Sequence, residues 1–162
     1  MVLVEPQQAR PNFWKKIDDP IKIMKSVVVD TSVIVKWVNQ DKEENLPQAT
    51  QILNDVKNNQ IELIAPEIAR YEVGNALLYS KKLIPSEANI SFGTAYSLPI
   101  TFVAESEDLA RETFSLAHKT GITYYDASFL SLAKKYSADL VTENTKHQKS
   151  SSGVKVVSLE DY

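Results

Sequence analysis

The sequence predicts an α/β protein with a mostly parallel central sheet flanked by helices on both faces. Two observations carry this prediction. Short β-branched runs, each a few residues long, alternate with longer segments whose apolar residues recur at helical spacing. Strands that are separated by helices form parallel sheets with both faces covered. The length of 162 residues fits a single domain with a substantial core.

The stretch Ser26–Trp37, SVVVDTSVIVKW, is the clearest element of the chain. Its three consecutive valines are typical of a buried strand. Asp30, Thr31 and Ser32 follow, and such side chains accept hydrogen bonds from the free N–H groups of a helix's first turn. Asp30 is therefore expected at the carboxyl end of a strand, before a helix over residues 33–38. Ligands bind at that edge of a parallel sheet, although helix capping alone would also explain Asp30.

The rest of the chain repeats the alternation. Pro66 fits the first turn of a helix, and Gly121 is expected to end another. We expect helices at residues 45–58, 66–83, 85–99, 106–119 and 123–136, and strands at 61–65, 100–103, 139–142 and 154–157. The segment 146–153, KHQKSSSG, is predicted to be a flexible loop.

Composition divides the chain and excludes several classes of protein. Residues 1–23 hold three prolines among scattered apolar residues, and we interpret them as an arm that docks on the domain or is mobile, with the compact domain at 24–162. No apolar run approaches the roughly 20 residues that span a bilayer, and no secretory signal is visible. The absence of cysteine excludes disulfides and thiolate metal sites. We therefore expect a cytoplasmic protein that does not enter a membrane.

The net charge of −3 bears on possible partners. A protein that grips nucleic acid over a broad surface is usually basic, and this one is not. If the chain meets a polyanion, we expect a local site at which bound cations supply the positive charge.

Glu72 is the acid least expected from its surroundings. It lies in a segment with apolar residues on several faces, which predicts a mostly buried helix. An ionised carboxylate there is costly unless a cation or a set of donors meets it. Asn75 lies three residues further on and shares its face. A salt bridge with Arg70 or a lysine, or simple exposure, remains the alternative.

Asp126 and Glu143 are two further candidates. Asp126 lies in the first turn of a predicted helix, on the face that Leu130 continues. The pattern Thr123-x-x-Asp126 also resembles a capping box, so a purely structural role is open. Glu143 follows the strand DLVT at its carboxyl end, where it could equally be a solvated loop acid.

Together the four acids, Asp30, Glu72, Asp126 and Glu143, are more specific than any one of them. Carboxylates gathered at one sheet edge repel each other, and in the ionised form they need a divalent cation. Oxygen ligands without cysteine suit Mg²⁺ or Mn²⁺ better than Zn²⁺. Such a site can activate water and stabilise the charge on a phosphodiester. The sequence shows no glycine-rich phosphate loop and no G-x-S-x-G motif.

Four segments resemble the PIN-domain family, above all the VapC-like toxin ribonucleases of type II toxin–antitoxin modules. VVVDTSVIVKW resembles the opening strand of that family, and APEIARYEVGNAL resembles its second acidic motif, P-x-[IL]-x-x-x-E-V-x-N-x-L. TYYDASFLSLA resembles the third motif, and ADLVTEN with VKVVSLEDY resembles the closing strands. The resemblance covers about residues 24–162 and leaves the N-terminal arm unexplained.

The resemblance implies a PIN-like, Rossmann-like fold and a metal-dependent endoribonuclease that cleaves single-stranded RNA. It also implies a homodimer held inactive by a cognate antitoxin protein. By position in the motifs, Asp30, Glu72 and Asp126 would bind Mg²⁺ or Mn²⁺. The supporting residues implied are Thr31 and Ser32, which would orient water or a ligand, and Asn75, which would support Glu72.

The fourth acidic position departs from the family pattern. The family usually has Asp two residues after Thr142, and this chain has Asn144 there, with Glu143 just before it. Either Glu143 reaches in as the fourth catalytic acid, or that ligand is lost and a second metal is weakened.

Other functions stay open beside the toxin ribonuclease. One alternative is a catalytically weak PIN-like module that acts by binding a partner protein or RNA. Another is an RNA-processing nuclease outside a toxin pair. The candidate RNA contacts, which could as well be solvated surface charges, are Lys36, Lys146, His147 and Lys149.

Overall fold

Five parallel strands form one sheet in the computed structural model, which describes residues 24–145 and 153–162. The strands are β1 (Lys25–Val29), β2 (Ile61–Pro66), β3 (Ile100–Val103), β4 (Asp139–Thr142) and β5 (Val156–Ser158). Their order across the sheet is β3-β2-β1-β4-β5, and every neighbouring pair is parallel. The predicted α/β class with a parallel sheet is confirmed.

Six α-helices connect and cover these strands. They are α1 (Thr31–Val38), α2 (Leu46–Lys57), α3 (Ile68–Asn75), α4 (Pro85–Ser97), α5 (Glu107–Thr120) and α6 (Tyr124–Lys135). Helix α1 packs against α2, α3 and α4, whereas α5 packs on α6, which in turn contacts β1, β2 and β4. Successive side chains of a strand point to opposite faces. All three valines of β1 are buried, so both faces of the sheet are covered.

The helix ends follow the predicted chemistry. The Ser106 side chain accepts a hydrogen bond from the backbone N–H of Leu109 at the start of α5. Gly121 ends α5 with a φ of 72°, a left-handed conformation that glycine adopts without a steric penalty. The predicted bounds of β3 and β4 match the structure residue for residue.

Several predicted boundaries are wrong, including the start of α1, which lies at Thr31 and not at Val33. Pro66 is the last residue of β2 and does not begin a helix, since α3 starts at Ile68. Its fixed φ suits the end of a strand as well as the first turn of a helix. The helix predicted to reach residue 83 ends at Asn75, and a π-helical segment, Ala76–Ser80, continues it. Strand β5 begins two residues later than predicted, at Val156.

The last residues of the chain lie against α2. A 3₁₀ turn at Leu159–Asp161 follows β5 and packs on that helix. The Tyr162 hydroxyl donates a hydrogen bond to Asp55 Oδ2 over 2.8 Å, and burial together with this contact raises the pKa of Tyr162. Within the described residues, no helix is both long enough and apolar enough to cross a bilayer. The predicted N-terminal arm and residues 146–152 of the predicted loop lie outside the described residues.

Candidate metal centre

Asp30 lies directly after β1, at the N-terminus of α1, as the sequence predicts. Three donors reach a single oxygen of its carboxylate, Oδ2: the Ser32 hydroxyl at 2.5 Å, the Thr142 hydroxyl at 2.9 Å and the Ser32 backbone N–H at 3.3 Å. Among the described residues, no donor reaches Oδ1. Asp30 therefore caps the helix with one carboxylate oxygen, and no described donor reaches the other.

Thr142 belongs to this site, although the sequence reasoning did not single it out. It is buried at the end of β4, and Val29 of β1 pairs with Val141 of β4. This register places Thr142 next to Asp30, the residue after Val29. The signal that could have found Thr142 is its position as the last polar residue of a strand that neighbours β1.

Glu72 projects from α3 toward the start of α1. Its Oε2 accepts a hydrogen bond from the Thr31 hydroxyl over 2.5 Å. Burial is the largest cause that raises the pKa of Glu72, the Thr31 hydrogen bond works against it, and the negative charges of Asp30 and Asp126 raise the pKa further. The structure therefore brings these three acids within electrostatic reach of one another.

Arg70, the alternative partner for Glu72, points elsewhere. Its guanidinium lies 4.2 Å from the centre of the Phe102 ring and 5.1 Å from that of Tyr96. Asn75 is exposed, and in the described part of the chain it makes no hydrogen bond to Glu72.

Asp126 takes part in the N-terminal cap of α6 and also lies near Glu72. Its backbone N–H donates to the Thr123 hydroxyl over 3.0 Å, and that hydroxyl donates to Asp126 Oδ2 over 2.7 Å. The Thr123 hydroxyl therefore caps the start of α6, and the Asp126 carboxylate binds that hydroxyl instead of the Thr123 backbone N–H that a full capping box uses. The carboxylate is nevertheless close enough to Glu72 to raise the pKa of that acid.

Glu143 contributes its backbone to the site but turns its carboxylate away. The backbone N–H of Glu143 donates to the Ser32 hydroxyl over 3.2 Å. The carboxylate instead pairs with the Lys36 ammonium at 2.7 Å and accepts a hydrogen bond from the Asn45 side chain at 3.4 Å. Asn144 is exposed, and its backbone N–H donates to the Thr142 hydroxyl over 3.0 Å.

Lys36 is the main surprise of this region. The sequence offered it as an RNA contact or a solvated charge, and both interpretations are wrong, because its side chain is 1% exposed. It pairs with Glu43 at 2.6 Å as well as with Glu143, and Lys81 pairs with Glu43 at 2.5 Å. Burial works to lower the pKa of Lys36, but the two carboxylates outweigh it and raise that pKa. The other three candidate RNA contacts, Lys146, His147 and Lys149, lie outside the described residues.

Two clusters therefore share one region of the molecule. We call Asp30, Glu72 and Asp126 the acid cluster. We call Lys36, Glu43, Lys81 and Glu143 the lysine cluster.

The sequence model of the PIN domain matches residues 27–151, more than half of the chain. The chain belongs to the PIN domain family. No curated protein sequence matches it.

Solved structures share its fold. A toxin–antitoxin complex from Klebsiella pneumoniae is 19% identical, with a TM-score of 0.56, and the match covers 84% of this chain and 99% of that one. VapBC2 from Rickettsia felis, bound to a promoter DNA fragment, is 19% identical, with a TM-score of 0.61 and coverage of 82% and 98%. VapC20 from Mycobacterium tuberculosis, titled a sarcin–ricin loop cleaving toxin, is 13% identical, with a TM-score of 0.56 and coverage of 70% and 86%. The fold of this PIN domain is thus VapC-like.

The donor chemistry of the acid cluster in this PIN domain fits a hard divalent cation. All of its potential ligands are carboxylate oxygens, the type that Mg²⁺ and Mn²⁺ prefer. In the described part of the chain, no lysine or arginine pairs with Asp30, Glu72 or Asp126. The same residues contain no preformed group of three His, Cys, Asp or Glu side chains with the arrangement of a metal site. Binding of a cation by all three acids would therefore require side-chain adjustment.

Proposed function

We propose that this PIN domain is a Mg²⁺- or Mn²⁺-dependent endoribonuclease that cleaves single-stranded RNA. PIN domains are nucleases, and the finer assignment rests on one observation. In the acid cluster, the negative charges of Asp30 and Asp126 act on Glu72, and no lysine or arginine among the described residues neutralises these three acids. A divalent ion would relieve that repulsion.

The roles of the residues follow from their contacts. Asp30, Glu72 and Asp126 would hold the metal, which, when bound, would activate water and neutralise charge on the phosphodiester. Ser32 and Thr142 fix Asp30 through one carboxylate oxygen and leave the other free to bind. Thr31 fixes Glu72 in the same way.

Glu143 and Asn144 complete the proposed site less directly. The sequence offers Glu143 as a fourth catalytic acid, and in that role it would have to leave Lys36. Asn144 is exposed beside Thr142. Its amide oxygen, which carries no net charge, could act as a ligand for a second metal. We therefore propose one principal metal position, with a second that is weaker than in family members that carry Asp there.

The test is cleavage of a fluorescent single-stranded RNA by the purified chain in Mn²⁺, in Mg²⁺ and in EDTA. Asp30→Asn and Asp126→Asn, checked for folding by circular dichroism, serve as matched variants. We expect cleavage that needs metal and disappears in both variants. Metal-dependent turnover retained by both variants would rule out this site.

The second candidate function is a binding module with weak catalysis. The observations that favour it are the Asn144 departure and the pairing of Glu143 with Lys36. Binding of Mn²⁺ that is lost in Asp30→Asn, together with an absence of RNA cleavage, would support this function. Asn144→Asp would then be expected to restore cleavage.

We also propose that the protein is a homodimeric toxin with a cognate antitoxin. One of the structural relatives described above is a toxin–antitoxin complex, and another is VapBC2 bound to promoter DNA. Exposed apolar side chains on α4, among them Ile90 at 75% exposure, could be covered in a dimer. Light scattering would give the oligomeric state. Suppression of cleavage by the product of a neighbouring small gene would identify the antitoxin, and a nuclease without such a neighbour would instead fit RNA processing.

A further inference from the structure

An open groove lies beside the acid cluster, at the carboxyl ends of β2 and β3. It encloses about 210 Å³ between α3, α5 and α6. Its floor is apolar, with Pro66, Val103 and Leu109 among the lining residues. The acid cluster occupies the same edge of the sheet, where β1 and β4 end. Because β1 and β2 are neighbours, a polymer lying along this edge would pass over both sites.

Tyrosines line the groove beside the acids. Tyr71 precedes Glu72 on α3 and is 69% exposed, and Tyr125 precedes Asp126 on α6 and is 58% exposed. Tyr124 is held in place, because its hydroxyl donates to Glu105 Oε1 over 2.6 Å. Large exposed aromatic faces are expensive to leave in water and are the surfaces on which unpaired bases stack.

Two carboxylates, Glu67 and Glu105, give the groove a negative charge. They would repel a phosphate, so the backbone of a nucleic acid would stay outside, over the acid cluster and its metal. A base carries no charge, and the exocyclic amino groups of adenine, cytosine and guanine donate to carboxylate oxygens. Uracil has no such amino group.

We propose that this groove, here called the tyrosine groove, binds one unpaired base of the RNA next to the scissile phosphate. The base stacks on Tyr71 or Tyr125, and the groove prefers bases that carry an exocyclic amino group. The inference deepens the proposed function by adding a base-binding subsite to the acid cluster, and it rests on that function for the position of the scissile bond.

The test is a cycle that combines a protein change with an RNA change. Single-turnover cleavage in Mn²⁺ is measured for intact RNA and for RNAs with one abasic nucleotide at successive positions near the cut. Loss of one stacked base is expected to raise the protein concentration that gives half-maximal cleavage about tenfold. Tyr71→Ala or Tyr125→Ala should cause a similar loss with intact RNA and no further loss when the critical base is already absent.

Controls separate stacking from general damage. Tyr→Phe at the same position keeps the ring and should behave as the wild type. Tyr79→Ala is matched to Tyr71→Ala, because Tyr79 is 71% exposed on the π-helical segment and lies outside the tyrosine groove. Its effect should be negligible. The proposal is overturned if the losses of RNA affinity caused by the groove variants and by the abasic positions simply add. It is also overturned if the groove variants bind RNA as tightly as the wild type.

Base preference gives an independent readout. At the critical position, cytosine should be bound about fivefold or more tightly than uracil, because a hydrogen bond to a charged acceptor is lost with uracil. Glu67→Gln should reduce this preference. Equal binding of the two bases by the wild type would overturn the preference.

Failure of this proposal can be told apart from failure of the proposed function. If the wild type cleaves no RNA, the same oligonucleotides are titrated in Mn²⁺ by fluorescence anisotropy. Suppose that Tyr125→Ala and one abasic position each lower RNA affinity, and that the two changes together lower it no further. That result would support the tyrosine groove, although the nuclease assignment would have failed. If the groove variants impair only the binding of a protein partner, the occupant is a peptide and the proposal is wrong.

Discussion

The acid cluster and the lysine cluster contain the same kind of side chain in opposite electrostatic states. In the lysine cluster, burial works to raise the pKa of Glu43, but hydrogen bonds and charges from Lys36 and Lys81 outweigh it and lower that pKa. In the acid cluster, burial and two like charges raise the pKa of Glu72. A carboxylate with its own cation is satisfied in the folded chain, whereas one surrounded by other carboxylates favours an external cation.

This difference separates acids that look alike in the sequence. Glu72 and Glu143 both belong to motifs that resemble the family's acidic motifs. In the structure, Glu143 is neutralised by a lysine that is almost fully buried, and Glu72 is not neutralised by any described residue. We therefore expect the two clusters to respond differently to mutation, metal and pH.

The largest expected effect is on cleavage. Glu72→Gln removes a proposed metal ligand and should lower the cleavage rate roughly a thousandfold, as expected when a group that stabilises developing charge is lost. Glu143→Gln should change the rate far less, because its carboxylate pairs with Lys36. Both variants are compared in single-turnover assays in Mn²⁺ after their folding is checked. An equal loss in Glu143→Gln would mean that Glu143 leaves Lys36 and serves as the fourth catalytic acid.

The second effect is on stability and concerns Lys36. Lys36→Met should lower the free energy of unfolding by about 3 kcal/mol, because it leaves two partly buried carboxylates without their shared cation. Urea denaturation measures this change. Lys134→Met is the control, since Lys134 forms an exposed pair with Glu112 and should cost less than about 1 kcal/mol. Similar losses in the two variants would show that the lysine cluster is not a structural centre.

The fold could be predicted largely because its signals are local. The valine run of β1 and the capping residues Ser106 and Thr123 determine structure within a few residues of themselves. The prediction that Pro66 begins a helix was wrong because the φ of proline is compatible with both a strand end and a helix start. The pairing of β2 with β3 decides between them. The π-helical segment after Asn75 has no sequence signal that we recognised.

The candidate site was only partly predictable, because side-chain direction depends on distant residues. From the sequence we expected four acids, Asp30, Glu72, Asp126 and Glu143, at one edge of the sheet. Only the resemblance to the family separated Asp30, Glu72 and Asp126 from Glu143 as metal ligands. The sequence could not show that Glu143 turns to Lys36, since that contact also involves Glu43 in the loop after α1. Lys36 looked like a surface charge because lysine is rarely buried unless it is paired, and its partners are 7 and 107 positions away.

The third effect tests the pH dependence of the lysine cluster. Because the pKa of Glu43 is lowered from its ordinary value of 4.5, its contribution to stability is present above pH 4.5 and is lost as the pH falls through the folded-state pKa. Glu43→Gln should cost about 2 kcal/mol at pH 7, since the hydrogen bonds from Lys36 and Lys81 lose their charged acceptor. Unfolding free energies measured at decreasing pH should converge for the two proteins. A constant difference would contradict this assignment.

The smallest effect has the opposite sign and comes from the acid cluster. The pKa of Glu72 is raised above its ordinary value of 4.5, so at neutral pH its ionised form destabilises the metal-free fold. Glu72→Gln should therefore stabilise the protein in EDTA at pH 7 by about 1 kcal/mol, which corresponds to a rise in Tm of about 2–4 °C. The glutamine can still accept the Thr31 hydrogen bond, so the substitution changes mainly the charge.

Glu72→Gln should also differ from the wild type in its response to pH and to metal. As the pH falls from the raised folded-state pKa of Glu72 toward 4.5, the native wild type takes up a proton before the unfolded chain does, and its stability rises toward that of the variant. Added Mn²⁺ should stabilise the wild type more than Glu72→Gln, because only the wild type keeps all three carboxylates. If Glu72→Gln is destabilised in EDTA, Glu72 is a structural acid like Glu43, and the contrast between the two clusters is lost.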